Sequence, residues 1–215
     1  TKHGALFAAK ATLIQVDLEP TAIGRSRPVE LGLLGDARAT ARPLEDALRN
    51  RNYANTGFRT AETQSAIASR TWENEPYEDA GTDRYIDPRT LSITLDELLP
   101  PDRVVAADSG HFTGYPSMYL NVPDSRAWIF ANAFHAVGLG LGNAIGAAIA
   151  TPDRTAVAVL GDGGAFMALP ELETAARLRL GNLLVVVYDD SAYGAEVHHF
   201  APIGHDVSRV RFPEA

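Results

Sequence analysis

Between Thr155 and Gly194 the chain reads TAVAVLGDGGAFMALPELETAARLRLGNLLVVVYDDSAYG. Two uninterrupted apolar runs, TAVAVL and LLVVVY, flank a stretch with helical spacing. Apolar runs without alternation are what strands buried on both faces require, and such strands belong to parallel sheets covered by helices. In the stretch between, Leu169, Leu172, Ala176 and Leu180 fall on one helical face, and Pro170 suits a first helical turn. Strand, helix and strand in this space make a βαβ unit, which brings the chain back to the same edge of the sheet. Upstream, RVVAAD predicts another such strand, ending at Asp108. The fold class expected is α/β, a parallel sheet flanked by helices.

Both runs end in acid. Asp162 follows the first, and Asp189 and Asp190 follow the second. In parallel α/β sheets, ligands bind beyond the carboxyl ends of the strands. Asp162 and Asp190 are therefore expected to come close if their strands are neighbours. Two hard oxygen ligands at such an edge suit Mg²⁺ or Ca²⁺. The turn Gly161-Asp162-Gly163-Gly164 allows backbone amides to approach an anion, and a helix start favours phosphate. Together these features point to a metal-bridged phosphate. The alternative is that Asp162 and Asp189 only cap helices or turns.

Elsewhere the signals are weaker. ATLIQVDLEP predicts a strand over Thr12–Val16. Asp36 is a helix start signal, and Ala39, Leu44, Ala47 and Leu48 keep helical spacing. Pro43 fits a helix interior badly, which moves the expected start as late as that residue. A second helix is expected from Arg59 to Trp72. The acidic stretch Glu73–Pro88, with no apolar run, reads as a linker and a domain boundary. Ile129–Ala150 has 22 residues without Asp, Glu, Lys or Arg. That length permits a membrane span, but its glycines and Asn132, His135 and Asn143 suit a loop followed by a buried helix, Leu141–Ala150.

Composition narrows the chemistry. With no cysteine, thiolate metal sites and cysteine nucleophiles are excluded. A net charge of −8 argues against nucleic acid or an anionic membrane as partner. TKHGALFAAK lacks the apolar core of a secretory leader, so the expected location is cytoplasmic. An acidic pair after a strand also occurs in signalling receiver domains, but these need a later lysine, and no lysine follows Lys10.

GDGGAFMALPELETAARLRLGNLLVVVYDDSAYG resembles the signature of thiamine-diphosphate-dependent enzymes. Upstream, FHAVGLGLGNAIGAA is similar to that family's glycine-rich segment, and DSGHF to its diphosphate-side loop. IQVDLEPTAIGRSRPVELGLLGDARAT resembles the end of the central domain in the acetolactate synthase branch. The resemblance implies three parts: residues 1–75 as the later part of a Rossmann-like central domain, 76–88 as linker, and 89–215 as most of a thiamine-diphosphate- and Mg-binding domain.

By the same resemblance, Asp162 and Asp190 would bind Mg²⁺ with the backbone oxygen of Ala192. The diphosphate would lie against Gly161, Gly163, Gly164, His111 and Phe112, with Tyr193 and Gly194 nearby. Val137 would prop the cofactor in a bent form, and the carbonyl of His135 would accept from its aminopyrimidine. The activity implied is decarboxylation of a 2-oxo acid with transfer of the remaining fragment to an acceptor. Glu196 falls where simple 2-oxo-acid decarboxylases carry a catalytic glutamate; there it would donate a proton.

The chain departs from the family pattern in places. Asp189–Asp190 replaces Asn–Asn, Val137 is smaller than the usual residue, and Asn143 stands where Ala or Pro is usual nearby. The family's pyrimidine-binding domain, through which a homodimer or homotetramer would form, is outside this sequence, so the 215-residue piece alone is expected to be inactive. Some members hold FAD or ADP in the central domain. Asp17 and Asp36 stand at element ends where such a nucleotide would lie, though turn and helix capping accounts for both equally.

Overall fold

The structure is a computed structural model, and it describes residues 7–8, 10–54, 57–131 and 136–213. Contacts divide the chain into two compact units, Thr1–Ala66 and Ile67–Ala215.

In the first unit, β1 (Ile14–Asp17) pairs in parallel with β2 (Leu31–Leu34), Ile14 opposite Leu31 and Asp17 opposite Leu34. β1 starts two residues later than Thr12, because the amide of Leu13 donates to the Glu30 carboxylate instead of to a strand. α1 (Ala37–Asn50) begins well before Pro43. The Asp36 carboxylate accepts the amide of Ala39 at 2.8 Å and caps the first turn. The proline therefore sits inside the helix, where its missing N–H costs one hydrogen bond, on a helix with no buried residue. α2 (Ala61–Ser69) is shorter at both ends than Arg59–Trp72; the Thr60 hydroxyl accepts the amide of Thr63 at its start.

The second unit contains α3 (Pro88–Leu98), β3 (Arg103–Ala107), α4 (Gly114–Tyr119), β4 (Trp128–Phe130), α5 (Gly140–Ala150), β5 (Thr155–Gly161), α6 (Asp162–Met167), α7 (Glu171–Arg177), β6 (Leu183–Tyr188) and α8 (Gly194–Phe200). The four strands form one all-parallel sheet in the order β4-β3-β5-β6. Every residue of β3 is buried, as are Ala156 to Leu160 of β5. One face is covered by α5, whose Leu141, Ala144 and Ile145 pack on Ala106, Ala158 and Leu160. Against the other face lie Leu91 and Leu95 of α3, with Phe112 and Tyr188. β3 and β5 show the two-faced burial that their apolar runs predict, and β5 pairs with β6 as a βαβ unit requires, but β6 lies at the sheet edge and is only half-buried, with Val187 44% exposed. Among the described residues no helix is long and apolar enough to cross a membrane; the uncharged stretch from Ile129 holds β4 and then α5.

Residues 76–87 carry neither helix nor strand, but they end on a buried anchor. Asp87 is 3% exposed, accepts the amides of Ala80 and Arg89, and pairs with the Arg89 guanidinium. A second anchor is Arg103, 2% exposed, which donates to the carbonyls of Leu99 and Asn121 and pairs with Asp96.

Candidate functional site

The ladder between β5 and β6 ends with Gly161 opposite Tyr188. Acids follow both strands, Asp162 after β5 and then Asp189 and Asp190 after β6. Asp162 is 7% exposed. Its Oδ1 accepts the amide of Gly163 at 2.7 Å, and its Oδ2 is buried with no hydrogen-bond partner. Burial pushes the Asp162 carboxyl above the usual carboxylate range, and the carboxylates of Asp189 and Asp190 push the same way. Asp190 is more open but is raised too, chiefly by the protein around its carboxyl, against the pull of the Ala192 amide and the imidazoles of His111 and His198.

A buried carboxylate oxygen with neither donor nor cation is costly. A hard divalent cation would satisfy it and relieve the crowding of acids. Among the described residues, no three acidic, His or Cys side chains converge as a complete metal shell. An ion here would take two carboxylates and fill its shell with backbone oxygen and the oxygens of a second ligand.

Space for that ligand adjoins. A cavity of about 360 Å³ lies at the carboxyl ends of β3, β5 and β6. Its walls are the turn Ser109–Thr113 after β3, Val137, the turn Gly161–Gly164, and Asp190 with Ala192–Glu196. Every cofactor residue expected from the sequence lines it except His135, which lies outside the described residues. Glu196 lines it from the first turn of α8. At Gly163 a side chain would stand 2.6 Å from the Tyr193 ring, so any larger residue would have to push that ring aside.

The segment after β6 is held in shape from both sides. Ser191 adopts φ +52° and donates its amide to the Asp189 carboxylate at 2.9 Å. Ala192 bridges to Arg211, Tyr193 donates its amide to the carbonyl of Val210, and the amide of Phe212 donates to the carbonyl of Ser191. Sequence reasoning missed this brace, because RVRF carries no signal of its partner. His198, on α8, stacks on His111 with ring centroids 4.1 Å apart. Burial and the nearby His198 lower the pKa of His111.

Residues 108–211 match the thiamine pyrophosphate enzyme C-terminal, TPP-binding domain. Over those residues the chain carries the cofactor-binding domain of the thiamine-diphosphate-dependent enzyme family. It is 29% identical to the sulfoacetaldehyde acetyltransferase of Alcaligenes xylosoxydans xylosoxydans over 217 aligned positions, covering 91% of this chain and 36% of that protein. It is 30% identical to the acetolactate synthase large subunit of Parasynechococcus marenigrum, covering 84% of this chain and 28% of the relative. Among solved structures, the thiamine diphosphate-dependent 4-hydroxybenzoylformate decarboxylase of Rhodococcus jostii RHA1 superposes with a TM-score of 0.63 at 20% identity, over 96% of this chain and 36% of that one. That likeness speaks for the fold. The chain thus spans about a third of the length of these curated relatives.

Proposed function

We propose that the protein to which this chain belongs uses thiamine diphosphate and Mg²⁺ to remove CO₂ from a 2-oxo acid and pass the remaining fragment to an acceptor. The observation that carries this reading is the orphaned, buried Oδ2 of Asp162 in the wall of a glycine-lined cavity that Asp190 also lines. Asp162, Asp190 and the carbonyl of Ala192 would hold the ion. The backbone at Gly163 and Gly164, with His111 and Phe112, would hold the diphosphate. Val137, 37% exposed at the cavity wall, would support the cofactor's body. When bound, the cofactor supplies an electron sink for the bond to the departing carboxylate. The synthase and acetyltransferase relatives favour the carboligating form. Residues 1–75 would be the later part of the central domain and 89–215 the cofactor-binding domain, in an assembly of two or four copies. In the first unit the two acids that would face FAD have local roles: the Asp36 carboxylate caps α1 and that of Asp17 accepts the amide of Glu19.

A second reading, a simple decarboxylase, draws on Glu196. Glu196 is among the residues that line the cavity, from where it would return a proton to the fragment.

The test is calorimetric titration of thiamine diphosphate into the full-length protein, with and without Mg²⁺. Binding should need the ion and weaken about 100-fold in Asp162→Ala, the upper range for lost metal-site contacts. Binding indifferent to both changes would refute the reading. Product analysis with pyruvate then separates acetolactate from acetaldehyde.

A further inference from the structure

Asp108 is fully buried, at 0% exposure, just past the end of β3. It does not line the cavity, yet three of the cavity's walls meet on it. Its Oδ1 accepts the amide of Ser109 at 2.9 Å, which opens the turn leading to His111. The amide of Gly138 donates to both carboxylate oxygens, at 3.1 and 2.8 Å. On the third side, a side chain at Gly164 would collide with Oδ2 of Asp108 and stand 3.3 Å from a methyl of Val137. The missing side chain of Gly164 is what lets the carboxylate and Val137 close in together.

Gly138 is fixed from the other side as well. Its φ of +93° is a conformation that L side chains avoid, and an added Cβ would sit 2.9 Å from Cβ of Met167. The peptide between Val137 and Gly138 is therefore held between a buried carboxylate and α6. A buried carboxylate needs strong donors, and here the donors are backbone amides of the segments that shape the cavity.

We propose that Asp108 is a positioning residue: through the Gly138 amide it sets Val137, and so the reactive end of a bound cofactor, without touching the cofactor itself. This rests on the proposed thiamine diphosphate site. Asp108 also accepts the amide of Ser109, before the diphosphate-side turn, but the ion ligands Asp162 and Asp190 do not hang on it, so its loss should slow reactivity more than it weakens binding.

The experiment uses full-length protein with thiamine diphosphate and Mg²⁺ as the probe, in wild type, Asp108→Asn and Asp108→Ala. Affinity is read by calorimetry. Reactivity is read as exchange of the thiazolium C2 proton with D₂O at saturating cofactor, and loop order as amide exchange of the peptide containing Gly138. The expected result is affinity within a few-fold of wild type, C2 exchange slowed about 10- to 100-fold as for a misplaced reacting group, and faster amide exchange at 136–140. Asp108→Asn, which keeps one acceptor oxygen, should fall between wild type and Asp108→Ala. Unchanged C2 exchange in both variants, or a loss that only follows bound cofactor, overturns the proposal. So does failure of both variants to fold, since a positioning residue is separable from the fold. A wild type that binds no thiamine diphosphate would instead refute the cofactor assignment.

Discussion

Adjacent acids at the end of a buried strand are distinguished here by one residue of register. Asp189 acts on the Asp162 carboxyl but also accepts the Ser191 amide, where Ser191 takes a left-handed φ. Asp190 turns to the cavity, near His111. Asp190→Ala should therefore weaken Mg²⁺-dependent thiamine diphosphate binding about 10- to 100-fold. Asp189→Asn keeps an acceptor for Ser191, and should leave affinity within about threefold, the scale of a surface charge; parallel calorimetric titrations decide. Equal losses in the two variants would assign the ion to Asp189. Gly163→Ala tests the other wall. An added methyl must displace the Tyr193 ring, which also packs on Phe212 at 5.1 Å. Overpacking of this kind costs about 1–3 kcal/mol, so cofactor affinity should fall roughly ten- to a hundredfold.

Elements were legible from the sequence to the degree that they repeat a pattern. β3, β5 and β6 are continuous apolar runs, and Asp108, Asp162 and Asp190 follow from where those runs stop. β2 and β4, LGLL and WIF, are too short to carry a period, and only pairing with β1 and β3 makes them strands. Pro43 misled because a capped, solvent-exposed helix can carry one missing bond. The Asp108–Gly138 contact spans 30 residues and rests on two backbone amides, so no side-chain pattern announces it.

The stretch before α3 is a similar case. Its acidic composition suggests a solvated linker, yet Asp87 is buried and caps the helix by accepting the amide of Arg89. The guanidinium of Arg89, then the amides of Ala80 and Arg89, hold the Asp87 carboxyl well below the usual carboxylate range, against the opposing effect of burial. A depressed folded-state pKa stabilises above the unfolded value of about 4, and that contribution is lost as pH falls below it. Asp87→Asn keeps an acceptor for the capping amide but loses the charge facing Arg89, and should lower the melting temperature at neutral pH by an amount set by about 1–2 kcal/mol for a lost charge-assisted hydrogen bond. It should also reduce the slope of stability against pH between about 5 and 2. Denaturation curves for both proteins across that range check it; parallel curves would mean Asp87 is not ionised by its partners.

At the scale of the whole molecule, the surface beside the cavity is apolar where a monomer would be polar. Phe166 is 72% exposed, and Met167 and Leu169 are each 54% exposed, in one short stretch at the end of α6. Large apolar side chains exposed so close together in the chain mark a contact surface. The stretch follows directly on the Gly161–Gly164 turn, and Met167 abuts Gly138, so whatever covers it also borders the cofactor site. We propose that the pyrimidine-binding domain of a second copy of the full-length protein covers it, since closed two-fold pairing is the commonest arrangement of soluble oligomers. Phe166→Asp should weaken self-association about tenfold or more, as loss of a buried aromatic anchor does. Sedimentation velocity over a dilution series reads that shift. Thiamine diphosphate affinity should fall with it, because cavity and patch share the loop at Gly138. Dissociation without any change in cofactor affinity would separate the patch from the site.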